Sequence, residues 1–517
     1  MLYTNTKIMK HWFNYTALAI FAGLSFSCSD IEEANDKVPQ SQTLAASAAS
    51  SVGDVVGKIT VGYQGWFSAK GDGSPVNDWG HGNLENWPDV REYTTTYQTP
   101  FGNLGNGEPA TLFSSYDQQV LNKHFSWMAQ YGIDCAALQR FTNEIDPGSV
   151  LKRQRDGVAT MMRNAAEANN RKFYIMYDLS GGVATPTTDW TNTIVNSLHL
   201  TSSSAYARQN GKPVVCLWGI GYIWLPLTAQ QAIDMINFYK SQGCYVIGGV
   251  PGSWRSKDGY ARADYDEVYK NLDMIMPWAV GGFTDINYPL WVQDNQNYCN
   301  SIGVDFQADA YPGFSFNNSQ SQSTRNEIPR SHGDFMWTQF ATMRAAGVSS
   351  VYISMFDEMN EGTAIFKLAE DASMVPAGRW YLTLDADGVH TSSDFYLRLV
   401  NDAQKMIKGI TPYQPTCPTT FIEGIPNPDG VIFFENTGFN GAASGKFTPG
   451  NYTLYDLRTR GFVNDWASSV KIPSGMTLTV YSDDNFSGQS WTLKADQSNL
   501  AALRPSADNT VSSFKIQ

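Results

Sequence analysis

Short apolar runs rich in β-branched and aromatic residues alternate along most of this chain with longer stretches whose apolar positions recur at helical spacing. The runs lie within residues 58–67, 134–140, 173–178, 213–218, 244–248, 274–278, 304–308 and 351–356. A run of that length bounded by turn residues reads as a buried strand. Between the first two, residues 116–131 set Val120, Leu121, Phe125 and Met128 on one helix face, and residues 150–169 repeat that spacing before the third. Eight strands, most followed by a connection long enough for a helix, cover about 350 residues and predict an α/β fold, a (β/α)8 TIM barrel with enlarged loops. A doubly wound open sheet is the alternative, but no Gly-rich nucleotide fingerprint follows the first strand. Residues 68–115, dense in Gly, Asn, Asp, Trp and Pro, form one long loop, and such loops in compact domains are usually functional.

The alternation stops at residues 410–418, where prolines cluster and mark a boundary. Beyond it, residues 431–517 have no helical period and contain an internal repeat. Phe434-Glu-Asn-Thr-Gly-Phe-Asn-Gly441 recurs as Tyr481-Ser-Asp-Asp-Asn-Phe-Ser-Gly488, and Asn464-Asp-Trp-Ala-Ser-Ser469 recurs as Asp508-Asn-Thr-Val-Ser-Ser513. Duplicated strand-rich units with polar turns predict a two-part all-β sandwich. At the other end, Lys7, Lys10 and His11 precede an apolar stretch, residues 15–26, too short to span a bilayer and followed by Cys28. The predicted organisation is a leader over 1–28, a flexible Ser/Ala/Gln-rich linker over 29–55, a barrel over 56–412, a linker over 413–430 and the β-rich domain over 431–517.

Composition changes this picture in a few respects. The 517 residues suffice for two domains, and 16% charged with 13% aromatic residues suits a protein that handles neutral sugars. The formal charge of −13 comes without a basic patch, which argues against nucleic acid as a partner. Cys135, Cys216, Cys244, Cys299 and Cys417 form no CxxC pair, and three of them fall inside apolar runs, so they read as small core hydrophobes rather than a zinc site or disulfide framework.

The densest candidate chemistry is Val351-Tyr-Ile-Ser-Met-Phe-Asp-Glu-Met-Asn-Glu-Gly-Thr363, where three carboxylates follow the last strand. A barrel keeps its active site at that end of its strands. If a helical turn begins after Phe356, the spacing of Glu358 and Glu361 sets both on one face. Two acids so placed shift each other's pKa apart, leaving one protonated near neutrality as a general acid. Asp357 reads as their support. Trp66, Arg140, Tyr177, Asp178, Trp218, Trp254, Trp278, Tyr311 and Asn360 lie at or beyond strand ends and are the candidate substrate-binding residues, in company with Gln64, Gln139, Arg255 and Asp309.

The repeat closely resembles the βγ-crystallins, whose two defining pieces are the aromatic hairpin and the (Asn/Asp)-(Asn/Asp)-x-x-Ser-Ser segment. The resemblance implies paired Greek keys and calcium sites built from Asp465 with Ser468 in one copy and Asn509 with Ser512 in the other, completed by backbone of the opposite hairpin. Hard oxygens on a bent loop are what calcium requires. The leader resembles a lipobox with Cys28 as the lipidated residue, and Ser29-Asp-Ile-Glu-Glu33 is similar to the acidic surface-export tag of Bacteroidetes lipoproteins. This implies an outer-membrane lipoprotein, at the cell surface or periplasmic, held to the membrane by its lipid. A plain secretory peptide is the alternative.

Finally, Val61-Gly-Tyr-Gln-Gly-Trp66, Gly132 to Arg140, Phe173 to Tyr177, Lys212 to Val215, Tyr311-Pro-Gly313 and Phe356-Asp-Glu-Met-Asn-Glu-Gly-Thr363 resemble the clan of glycoside hydrolase families 71 and 99, the second being endo-α-mannosidases and mannanases. By that resemblance Glu361 is the general acid/base. Glu358 draws the proton from a sugar 2-hydroxyl, whose oxygen attacks the anomeric carbon, and configuration is retained without a catalytic cofactor. Asp357 stands where family 99 has Asn, and Met359-Asn360 where it has Trp-His, so the sugar itself is open. The reading is hydrolysis of an α-linked polysaccharide or glycan. The alternatives are a xylosidase- or arabinosidase-like glycosidase, a non-catalytic glycan-binding lipoprotein, or a calcium-dependent adhesin.

Overall fold

The computed structural model describes residues 50–182, 186–282, 288–320, 323–427, 429–458 and 462–517. The leader, Cys28 and most of the linker therefore lie outside the described residues. Eight parallel strands close into a ring: β1 (Ile59–Tyr63), β2 (Cys135–Phe141), β3 (Lys172–Asp178), β4 (Lys212–Trp218), β5 (Tyr245–Val250), β6 (Met274–Pro277), β7 in two pieces (Asp305–Phe306 and Ala308–Ala310) and β8 (Val351–Ile353). The first piece of β7 pairs with β6 and the second with β8, while β1 pairs with both β8 and β2, so the ring closes through the two pieces of β7. This is the predicted TIM barrel. Strands buried on both faces read as continuous apolar runs, which is why β1, β5 and β6 are buried throughout.

Helices α1 (Gln118–Gln130), α2 (Val150–Ala168), α3 (Ala229–Ser241), α4 (Tyr288–Ile302), α5 (Asp334–Ala345) and α6 (Phe395–Ile407) surround the ring. Their starts are chemically marked: Asp117 and Ser149 cap α1 and α2 through backbone amides, and Thr228 with Gln231 makes a reciprocal capping box on α3. Side chains of even number in β1 point inward and odd ones outward. Tyr63 thus leaves the barrel to reach His124 of α1, whose ring nitrogens lie 2.7 Å from the Tyr63 and Tyr93 hydroxyls. Inside, a methyl group at Gly62 would stand 2.2 Å from Met355 Sδ and 2.3 Å from the Tyr352 hydroxyl, so the barrel is packed solid beneath its mouth.

Two expectations are corrected here. Val55 and Val56 are buried, and Ser50 N–H donates to Asp305 Oδ1 at 3.0 Å, so the barrel begins within the segment read as a linker. The last strand ends at Ile353, not Phe356, because the backbone beyond it bonds elsewhere: Phe356 N–H donates to Gly62 O at 2.8 Å and Met355 N–H to Thr363 O at 3.2 Å.

The C-terminal domain has two sheets. One holds β9 (Ile432–Asn436), β10 (Asn440–Ala443) and β12 (Ser469–Lys471); the other holds β11 (Gly450–Tyr452), β13 (Leu478–Asp483), β14 (Ser487–Leu493) and β15 (Ser513–Ile516). β11 belongs to the first repeat but pairs with β15 of the second, and Gln497 of the second repeat bridges Val470 of the first. The repeats exchange their third strands, as paired Greek keys do. Phe433, Phe447, Phe462 and Phe514 fill the space between the sheets.

This domain rests on the barrel. Ser331 Oγ donates to Asp456 Oδ1 at 3.0 Å, and the His332 ring lies between Phe421 and Tyr452 at centroid distances of 5.9 and 5.7 Å. No helix among the described residues is long and apolar enough to cross a membrane. All five described cysteines are free, four of them buried.

Candidate active site

Residues 354–366 form an irregular loop over the barrel mouth, with turns at 359–362 instead of the expected helical turn. Its conformation is set by neighbours. Asp357, fully buried, accepts from the backbone amides of Gln64 at 2.7 Å and Gly65 at 2.9 Å, tying the loop to the end of β1. Met359 O accepts from Glu85 and Asn86 N–H groups of the long first loop. Arg330 donates to Gly362 O at 2.8 Å and Ala364 O at 2.7 Å. Glu85, itself buried, accepts from Ser315 Oγ at 2.8 Å and from the Asn318 amide. Glu85 and Arg330 escape sequence reasoning because both stand in aperiodic loops with no local partner.

The loop presents Glu358, buried, and Glu361, half-buried, to one another. Glu358 accepts from Asn360 N–H at 3.2 Å and from the Gln64 amide. Burial, then the charge of Glu361, then that of Asp357 push Glu358 well up. Burial, then Asp178, push Glu361 up to about 7. Asp178 ends β3, accepts from Gln139 Nε2 at 2.7 Å and Ser180 N–H at 2.9 Å, and is pushed up to about 6 by burial. Asp309 of β7, held by Ser354 Oγ at 2.7 Å and Ala279 N–H at 2.8 Å, rises to about 7 for the same reason. Five carboxyl groups thus share the mouth, and burial raises every one of them. Such a set can protonate a leaving oxygen and draw a proton from a hydroxyl.

Trp66, Trp218 and Trp278 stand partly exposed there. Trp66 stacks on Phe141 at 5.4 Å, and Trp218 meets Trp278 edge-on at 5.5 Å beside Tyr222. The indole N–H groups of Trp66 and Trp218 have no protein acceptor. Other predicted binding residues face elsewhere. Arg140, one position beyond inward Gln139, turns out to the helices and grips Asp189 with two bonds of 2.8 Å and Asp156 at 2.7 Å. Tyr177, next to inward Asp178, donates to Asp189 Oδ2 at 2.9 Å. Trp254 is buried between Tyr269 and Tyr298. Tyr311 donates to Gly282 O at 2.7 Å and packs on Phe335. Asn360 donates to Gly82 O, securing the first loop rather than lining the mouth. Arg255 stacks over the Tyr298 ring.

In the C-terminal domain the two copies build the same hairpin. Ser469 Oγ donates to Asn436 O and accepts from Phe439 N–H, and Ser513 Oγ does so with Asp483 O and Phe486 N–H. The preceding serines cross over. Ser512 Oγ lies 3.3 Å from Asp465 Oδ1, and Ser468 Oγ lies 3.5 Å from Asn509 Oδ1. The expected within-copy pairs, Asp465 with Ser468 and Asn509 with Ser512, are corrected to between-copy pairs, because each loop packs against the other repeat. Asp465 and Asn509 share a left-handed backbone (φ 54° and 51°), and Asn464 Oδ1, Asp508 Oδ1 and Thr510 Oγ1 are buried without a protein donor. These oxygens fit a hard cation.

No family model matches the chain. The barrel is similar to the structure of the GH99 endo-α-mannosidase from Bacteroides thetaiotaomicron in complex with bis-tris propane, with 13% identity, a TM-score of 0.53 and coverage of 69% of this chain and 98% of that one. A βγ-crystallin domain from Clostridium beijerinckii is 40% identical over 17% of this chain and 95% of its own, with a TM-score of 0.16. Development-specific protein S of Myxococcus xanthus is 34% identical over 86 residues, 17% of this chain. The match spans 47%, about half, of that protein's length. The chain thus joins a (β/α)8 barrel, of the fold seen in a family 99 endo-α-mannosidase, to a C-terminal domain similar to the βγ-crystallins.

Proposed function

We propose that the protein is a retaining glycoside hydrolase that cleaves an α-linked polysaccharide or glycan at the mouth of its barrel, in the manner of an endo-α-mannosidase. The observation that carries this reading is the placing of Glu358 and Glu361 in one electrostatic field at the C-terminal end of the strands. Burial raises both carboxyl groups. Glu358 accepts from the Asn360 amide and from Gln64, while burial and the charges of Glu361 and Asp357 push it well up. By the resemblance to family 99, Glu361 is the acid that protonates the leaving oxygen. Glu358 takes the proton of the 2-hydroxyl as that oxygen attacks the anomeric carbon and the leaving oxygen departs; water then opens the resulting 1,2-anhydro ring, Glu361 taking the water's proton and Glu358 returning its own to the 2-oxygen.

The test is an assay of the full chain against α-mannans, α-glucans and other plant and yeast glycans. Glu361→Gln should lower turnover by about 10²–10⁴-fold, and full activity in that variant would sink the assignment. Binding without product would favour a glycan-binding protein instead.

Two further expectations stand as parts of this proposal. Calcium occupies the crossed oxygen pairs of the C-terminal domain, and a lipid on Cys28 holds the enzyme at the outer membrane, where polymeric glycans are met.

A further inference from the structure

Two glutamines stand side by side just above the packed floor of the barrel. The register that sets Tyr63 of β1 against Leu138 of β2 brings Gln64 and Gln139 onto neighbouring strands, roughly 4.8 Å apart. Both point inward, both are only 6% exposed, and both are committed at one end. Gln139 Nε2 donates to Asp178, and the Gln64 amide is turned to Glu358. Each glutamine turns its nitrogen end to its carboxyl group, since neither Oε1 has a protein partner. Gln64 Oε1 and Gln139 Oε1 are left buried with no protein donor. A buried acceptor without a donor costs about 1–3 kcal/mol, and here two are held together beside the acid pair.

We propose that Gln64 and Gln139 form an acceptor pair that reads two hydroxyl groups of the sugar bound next to Glu358 and Glu361, restricting that position to neutral units with both hydroxyls free. This rests on the glycosidase reading and deepens it. Hydroxyls are the donors a sugar can supply in pairs, and the indole N–H groups of Trp66 and Trp218 are available to its acceptors. Neutrality follows from the surroundings. Asp178, Asp309, Asp357, Glu358 and Glu361 ring the mouth, and Arg140, the cation nearest in sequence to the pair, is spent on Asp189 and Asp156 outside it. A uronic or sulfated unit would meet like charge.

The experiment titrates the full chain with bis-tris propane, a cationic polyol, and separately with the parent diaminopropane, which keeps the amines without the hydroxyls. Gln64→Leu and Gln139→Leu should each weaken polyol binding about fivefold or more and leave diamine binding unchanged. Thermal midpoints report that the variants are folded, and either leucine variant suffices if the other is not. Unchanged polyol affinity in the leucine variants, equal losses for both probes, or no polyol binding by the unaltered chain would overturn the pair. Hydrolysis that persists beside such a result leaves the enzyme reading standing. Discrimination between the probes without any hydrolysis would keep the pair and sink the enzyme.

Discussion

Asp309 is fully buried with only neutral donors around it, Ser354 and the Ala279 amide. Burial pushes its carboxyl up to about 7 in the folded chain, against about 4 when unfolded. Between these values the folded state holds a proton that the unfolded state has released. The stabilisation is therefore complete below about pH 4 and is lost as pH rises to about 7, amounting to roughly 4 kcal/mol at most. Asp309→Asn lacks this dependence, so its thermal midpoint should gain on that of the unaltered chain as pH rises across this window. A constant difference would show that the carboxyl titrates normally. The same scale explains why two expected site residues lie outside the mouth. Arg140 and Tyr177 adjoin site residues in sequence, yet a strand sends successive side chains to opposite faces. Gln139 and Asp178 face in, so Arg140 and Tyr177 cannot. That parity is legible once Tyr63 is set outward.

At the level of elements, strands and capped helices are legible in the sequence because each declares itself over a few neighbouring residues. The acid loop is not. Glu358 and Glu361 meet without a helix, held by Asp357 on β1, by Met359 on Glu85 and Asn86, and by Arg330, all partners remote in sequence. The duplicated motif is legible to the residue, but the crossing of its serines is not, since repeats in a sequence do not say which copy each loop packs against. The crossing has a testable consequence. Each crossed pair draws on both repeats, so if calcium binds there as proposed, Ser512→Ala should weaken it at Asp465 and spare it at Asn509. Calorimetric titration of the full chain should then resolve one weakened and one unchanged site; equal loss at both would argue for within-copy sites.

Over the whole molecule the two domains meet tightly. A methyl group on Gly450 would stand 2.4 Å from Nε2 of His332, whose side chain is 1% exposed, and 3.1 Å from Asp387 O. Neither neighbour has room to retreat, so Gly450→Ala should loosen the docking by about 1–3 kcal/mol and divide a single thermal transition into two. A single unshifted transition would show that the domains tolerate the strain. At the same scale, Cys28→Ala should release the protein from the membrane fraction of its cells, and retention there would remove the lipid anchor from the proposal.

The packed floor under the mouth also governs traffic. With Tyr352 and Met355 filling the space beside Gly62, the barrel is a well with one opening. On the proposed reading, a long glycan would lie across the rim with a single unit dipped towards the acids. The leaving piece and the incoming water of that proposed reaction would then share one doorway.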